Sequence, residues 1–268
     1  MHPIEHLRYV ARATGADPAL VAREAAGALA EMTRMEPAGL LPACRRLIER
    51  HVTSGPMWWL SARMLGADDS REAARSAIAE LDADQTDRHL ASALPDSATV
   101  LVIGWPDICA AALRSRGDAE VLVVDSCGEG GPLVRRLRDT GNEATLVPES
   151  GVGPAAVVAD LVIVEALAAS STGVLAAPGS MAAAAVAAYS LVPVWAVTGV
   201  GRVLPERLWD ALAARLDDSG DEPWDRPSEL VPAPLISQVV GPDGPCETEE
   251  GLRASTCPAA PELFRAAG

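Results

Sequence analysis

Between residues 99 and 198 the chain carries five short runs of apolar residues, each followed by a segment with helical spacing. The runs are Thr99–Gly104 (TVLVIG), Glu120–Ser126 (EVLVVDS), Glu143–Val147 (EATLV), Asp160–Ala166 (DLVIVEA) and Pro193–Thr198 (PVWAVT), with a sixth at Leu235–Val240. They are continuously apolar rather than alternating, which is the pattern of strands buried on both faces. The intervening helical segments are Asp107–Arg116, Gly131–Thr140, Gly179–Ser190 and Leu204–Leu216. Strand followed by helix, repeated, predicts right-handed crossovers and a Rossmann-like, doubly wound parallel sheet. Such a sheet binds ligands beyond the carboxyl ends of its strands. The stretches to inspect are therefore Gly104–Asp107, Asp125–Gly131, Pro148–Gly153, Glu165–Ser180 and Thr198–Leu204.

Before residue 95 the apolar spacing is helical throughout. Ile4, Leu7, Val10 and Ala11 share one face. Asp17-Pro18 reads as a cap and first position of a helix that runs to about Met32. Further helices are predicted over Gly39–His51, Pro56–Leu65 and Ser70 to about Ala91, and Ala93–Ser97 reads as a linker. The fold class is thus α/β, with a helical N-terminal domain over residues 1–95 and a Rossmann-like domain over 96–268. Asp217–Pro227 reads as an acidic loop, and the Cys- and Pro-containing tail from Gly241 as a partly ordered one.

Charge narrows the partners. Acidic residues number 37 and basic residues 22, a net charge of −15, and all of the basic residues are Arg. The absence of Lys excludes Schiff-base chemistry and a Walker-type phosphate loop. A strongly acidic chain is a poor partner for nucleic acid, which requires clustered positive charge. No uninterrupted apolar run is long enough for a membrane span, and the N-terminal stretch lacks an apolar leader core. These features predict a soluble, cytoplasmic protein. Five widely spaced Cys form neither a disulfide framework nor a zinc motif.

Two glycine patterns imitate a dinucleotide fingerprint. Gly151-Val-Gly153-Pro-Ala-Ala156 leaves only one helical turn before the next strand, and Gly199-Val-Gly201-Arg-Val-Leu204 lacks the third small residue. Both read as turns, and no nicotinamide, flavin or metal cofactor is predicted. Pro178-Gly179-Ser180 precedes an Ala-rich helix. It reads as a candidate anion site or as an ordinary helix cap. Asp125 and Glu165 end two strands, where a carboxylate can act as a base or cap the following segment. Cys127 follows Asp125 in a Gly-rich loop, whereas Cys109 reads as a core residue. A phosphorylated ligand in so acidic a chain would require local Arg. Arg63, Arg135 and Arg202 each follow a segment that should border the cleft.

The order of a helical half, then TVLVIGWPD, VLVVDSCGEGG, DLVIVEALAASSTGVLAAPGS, PVWAVTGVGRVLPERLW and ELVPAPLISQVV, resembles the initiation factor 2B family. That family comprises the regulatory alpha, beta and delta subunits of the translation factor, methylthioribose-1-phosphate isomerase and ribose-1,5-bisphosphate isomerase. The resemblance spans about residues 50–245 and is most specific over Asp160–Ser180. His51–Met64 is similar to the stretch lining the sugar-phosphate pocket of the isomerases. The resemblance implies a homodimer built through the Rossmann-like domain or a hetero-oligomer, and a phosphorylated small-molecule ligand. It places His51, Thr53, Trp59, Arg63, Gly104, Trp105, Gly179 and Ser180 around that ligand. It also places Gly104 where the isomerases carry a catalytic Cys, Leu167 where they carry a catalytic Asp, and Ala176-Ala177 at their Asn-Lys pair. The expected function is a ligand-binding or regulatory protein with a sugar-phosphate-type pocket. The alternatives are a diverged isomerase working through Cys127, Asp125 and Glu165, and a structural subunit of a hetero-oligomer.

Overall fold

The computed structural model describes residues 5, 10, 17–218, 220 and 222–264. The first predicted helical face, on Ile4, Leu7 and Ala11, lies outside the described residues. Helix α1 (Pro18–Met35) opens as expected: Asp17 Oδ1 accepts the Ala19 N–H at 2.9 Å and Pro18 occupies the first turn. Helices α2 (Leu40–Arg50), α3 (Gly55–Gly66) and α4 (Ser70–Asp82) follow, and α1 packs against both α3 and α4. The single helix predicted from Ser70 to Ala91 is instead two, α4 and α5 (Thr86–Ala93). Asp84 breaks it. One carboxylate oxygen takes the Thr86 N–H at 2.9 Å and hydroxyl at 2.6 Å, and the other takes the Val200 N–H at 2.8 Å. A short polar side chain that offers the backbone such partners competes with the helix.

The sheet half runs β1 (Thr99–Ile103), α6 (Asp107–Arg114), β2 (Glu120–Val124), α7 (Gly130–Asp139), β3 (Glu143–Val147), α8 (Val152–Val158) and β4 (Leu161–Glu165). After β4 come β5 (Ala168–Ser170), β6 (Gly173–Ala176), α9 (Ser180–Tyr189), β7 (Val194–Val197), α10 (Glu206–Asp217), β8 (Glu229–Pro232), β9 (Gln238–Gly241) and β10 (Gly244–Cys246). The main sheet has seven strands in the order β10-β9-β7-β4-β1-β2-β3. All its pairs are parallel except β9 with β10. Every expected strand is present. The direction of chain order reverses between β1 and β4, which makes their carboxyl ends the switch-point crevice.

Three further features differ from the expectation. β5 and β6, within the strand-end stretch Glu165–Ser180, form a separate antiparallel sheet with β8, which follows the acidic loop. The single turn allowed after Gly153 is the helix α8. The tail from Gly241 is packed: it forms β10, α11 (Thr248–Arg253) and α12 (Pro261–Phe264), and buries Leu252, Cys257, Ala260 and Leu263. Its apolar residues complete the core of the helical half. That core joins Leu29, Ile48, Trp58 and Trp59 to Leu204, Leu208, Trp209, Leu212, Cys257 and Leu263.

Candidate functional site

Glu165 is the last residue of β4 and ends a buried apolar run. A carboxylate there must find partners or neutralise. It finds two. Oε1 pairs with Arg202 Nη1 at 2.9 Å, with side-chain exposures of 7% and 1%, and Oε2 accepts the Cys109 N–H at 2.9 Å. Arg202 Nη1 also donates to the Ala166 carbonyl at 2.5 Å, while its buried Nη2 has no partner among the described residues. Burial opposes the Arg202 charge, but Glu165, Asp17 and Asp107 outweigh it and hold the guanidinium more firmly protonated than usual. Cys109 is fully buried on α6. Burial first, and then the Glu165 charge, push its thiol well above the ordinary range, so it stays neutral. Asp107, in the first turn of α6, is half-buried. Its carboxyl is pushed up to about 7 by burial and by the charges of Glu165 and Asp17, against Arg202 and the Trp105 side chain.

A second group of residues closes the loops on the far side of β1. Gly104 follows β1 with φ +65° and donates its N–H to Val124 O at 2.9 Å. A Cβ there would lie 3.5 Å from Ser126 and 3.9 Å from Ala177. Ser126 Oγ donates to the Pro178 carbonyl at 2.8 Å. The loop after β2 and the loop before α9 are thus fastened together over Gly104. Gly179 caps α9 with φ +94°, and Ser180 is buried. The Met181 N–H in this first turn donates to the Glu229 carboxylate of β8 at 2.6 Å. The helix end read as a candidate anion site therefore already faces an anion of the chain itself.

The remaining predicted residues are dispersed. Asp125 Oδ1 accepts the Gly130 N–H at 3.0 Å and so caps α7. Cys127 is exposed, with φ +52°, and its N–H meets Glu149 Oε1 at 3.3 Å. β2 lies two strands from β4, about 10 Å in sheet spacing. No hydrogen bond among the described residues joins Asp125, Cys127 and Glu165. His51 ends α2 with Nε2 2.9 Å from Val10 O, and Thr53 lies half-buried in the turn that follows. Trp59 is fully buried: its Nε1 donates to Thr256 Oγ1 at 3.3 Å, and the Arg63 guanidinium sits 4.8 Å from its ring. Arg63 pairs with Glu80 and borders an open depression of about 690 Å³ between α3, α4 and Pro258. That depression also carries Asp69 and Glu72, and none of the strand-end residues lines it.

Trp105, Glu165 and Gly104 thus sit at the switch point, while Arg63 lies on the helical side. Sequence reasoning missed Asp107 as a site residue and left Arg202 as one of three cleft-border charges. The signal for Arg202 was Glu165 itself, since a carboxylate ending a buried strand demands a cation.

No protein-family model matches the chain, and no curated protein matches it. Solved structures do. The translation initiation factor eIF-2B of Pyrococcus horikoshii OT3 aligns with TM-score 0.73 at 15% identity, over 91% of this chain and 96% of that one. The chain has the initiation factor 2B fold. The eIF2B-beta2-delta2 complex of Chaetomium thermophilum aligns with TM-score 0.67 at 18% identity, over 93% and 92% of the two chains. eIF2B beta of the same organism aligns with TM-score 0.63 at 16% identity, over 92% and 87%. Nearly the whole chain is therefore spent on the initiation factor 2B fold, the helical half included.

Proposed function

We propose that this chain is a non-catalytic, regulatory-type subunit of initiation factor 2B architecture, which self-associates through one face of its sheet half. The observation that carries this reading is the Glu165–Arg202 pair, a buried ion pair lodged in the switch-point crevice. The resemblance implies Gly104 and Leu167 at the positions of the isomerases' Cys and Asp. Gly104 has no side chain. Leu167 offers none that can move a proton, and its backbone is committed, N–H to Leu175 O at 2.7 Å and O from Gly55 N–H at 2.9 Å. An aldose–ketose shift requires a proton or hydride relay; neither of these two positions supplies one, and the carboxylate that ends β4 is held by Arg202 and the Cys109 N–H.

The surface supports assembly. Val157 and Val158 of α8, Met181 and Tyr189 of α9, Leu191 in the turn after α9, and Leu230 of β8 are exposed on adjacent elements; Tyr189 and Leu191 each reach 91%. The α9 sequence SMAAAAVAAY has no charged residue. A helix apolar all round belongs inside a protein or an interface. A second copy would cover this face in a homodimer, and a related chain would cover it in a hetero-oligomer.

The test has two arms. Light scattering after gel filtration should give a dimer for the wild type and a monomer for Tyr189→Asp with Leu191→Asp; a monomeric wild type would remove the assembly part. Incubation with methylthioribose-1-phosphate and with ribose-1,5-bisphosphate, followed by NMR, should show no conversion. Turnover of either would replace this reading with the isomerase one.

A further inference from the structure

After α11 the chain leaves the sheet half and crosses to the helical half. α11 itself stays with the sheet: Thr248 Oγ1 donates to Ile236 O at 3.0 Å, and a Cβ at Gly251 would come within 2.5 Å of Val239 on β9. Residues 254–260 then run without regular structure to α12. Hydrogen bonds fasten this crossing at intervals. Ser255 Oγ donates to Val203 O at 2.7 Å. Thr256 Oγ1 accepts the Trp59 Nε1–H at 3.3 Å. Arg45 reaches the Glu262 carbonyl with Nε at 3.2 Å and Nη2 at 2.8 Å, and Arg215 Nη2 reaches Leu263 O at 2.9 Å. The apolar hold is small. Of residues 254–264, Cys257, Ala260 and Leu263 are the buried ones, and two of these have short side chains. A segment held by few buried apolar groups lies at the low-stability end of local opening.

What the crossing touches gives it a role. Val203 follows Arg202, in a loop laid along β5: the Ala169 N–H donates to Arg202 O at 2.7 Å and the Leu204 N–H donates to Ala169 O at 2.8 Å. Ser255 holds the Val203 carbonyl of that loop. The Trp59 ring packs against Gly201, where a Cβ would come within 3.0 Å of it, and Thr256 holds the ring N–H. The residues on both sides of Arg202 are therefore fixed from the tail. Thr256 and Pro258 also wall the depression that Arg63 borders.

We propose that residues 254–264 are a releasable strap, which locks the Arg202 loop and the Trp59 ring and opens without unfolding the rest of the chain. Closed, it keeps Arg202 presented to Glu165. Released, it uncovers the Cys257 thiol and the Trp59 N–H, removes one wall of the depression beside Arg63 and loosens the loop that carries Arg202.

Thiol labelling of the intact chain with N-ethylmaleimide, read site by site by mass spectrometry, tests this. Cys257 is buried within the strap, Cys44 in the helical core and Cys109 in the sheet half. In the wild type Cys257 should react at least about tenfold faster than Cys44 and Cys109, with a weaker dependence on urea, since release of a strap exposes less surface than unfolding. One rate and one urea slope for all three would mean that the strap opens only with the whole chain, and overturns the proposal. Ser255→Ala combined with Thr256→Val should speed Cys257 labelling about tenfold. The Leu204 amide should lose protection against hydrogen exchange by the same factor. Unchanged Cys257 labelling in this variant, or faster labelling with the Leu204 amide still fully protected, overturns the proposal as well. Should the variant fail to fold, the wild type decides: the Leu204 amide and the Cys257 thiol should open with one shared urea slope, and separate slopes break the link between strap and loop.

Discussion

At the scale of single residues, partners decide what each candidate can do. Glu165 looked like a carboxylate free for chemistry because it ends a strand. The structure gives both of its oxygens a partner within 2.9 Å. Removing it leaves the Arg202 charge buried and unpaired, which costs more than the pair itself contributes. Glu165→Ala should therefore destabilise by about 3–5 kcal/mol in urea unfolding; a loss under about 1 kcal/mol would mean that water reaches the guanidinium. Asp125 shows the opposite outcome. It stands at an equivalent strand end, yet it meets the Gly130 N–H and behaves as an ordinary cap. Only the distance to the nearest cation or free N–H separates the two cases, and strand position does not report it.

At the scale of elements, local signals were reliable where backbone and burial agreed. The capping of α1 by Asp17, the β3 boundaries and the apolar strands follow from residue type and spacing alone. The break between α4 and α5 does not, because Asp84 is drawn out of the helix by Val200, which lies 116 residues away. The N-terminus of α9 makes the same point. Its Gly-Ser start fits an anion site or a cap equally well, and the chain settles the choice with Glu229. Glu229→Ala should cost about 0.5–2 kcal/mol, as for other lost caps, read as a lower thermal midpoint. It should also create a weak phosphate-dependent rise in that midpoint, absent from the wild type, as the freed N–H groups take an outside anion.

At the scale of the whole molecule, the halves are joined by a core and by charges. Arg116 fastens the linker: Nη1 donates to the Ala91 and Leu94 carbonyls at 2.8 and 2.7 Å, and Nη2 donates to Pro95 O at 2.9 Å. Asp118 holds that arginine in place at 2.8 Å. The Arg116 side chain, and then the Ser97 N–H, hold the Asp118 carboxyl well below the usual range. A depressed folded value contributes stability above the unfolded value near 3.9 and loses it as pH falls further. The thermal midpoint should therefore drop between pH 4 and pH 2, and drop less in Asp118→Asn. Equal acid sensitivity in the two proteins would assign the acid limb to other carboxylates.

The sequence by itself determined the architecture. Apolar runs buried on both faces and separated by helices have few arrangements other than a doubly wound parallel sheet, and the helical spacing before residue 95 set the second layer. Both are properties of neighbouring residues, and neighbours are what a sequence displays. The tertiary structure alone decided the rest. It placed Arg202 against Glu165 across 37 positions and drew Asp84 to Val200 across 116. It turned the tail into part of the helical core, and it paired β6 with β8, more than fifty residues away, in a second sheet. Those outcomes depend on which distant groups share a dry crevice, where an unpartnered charge is too costly to leave alone.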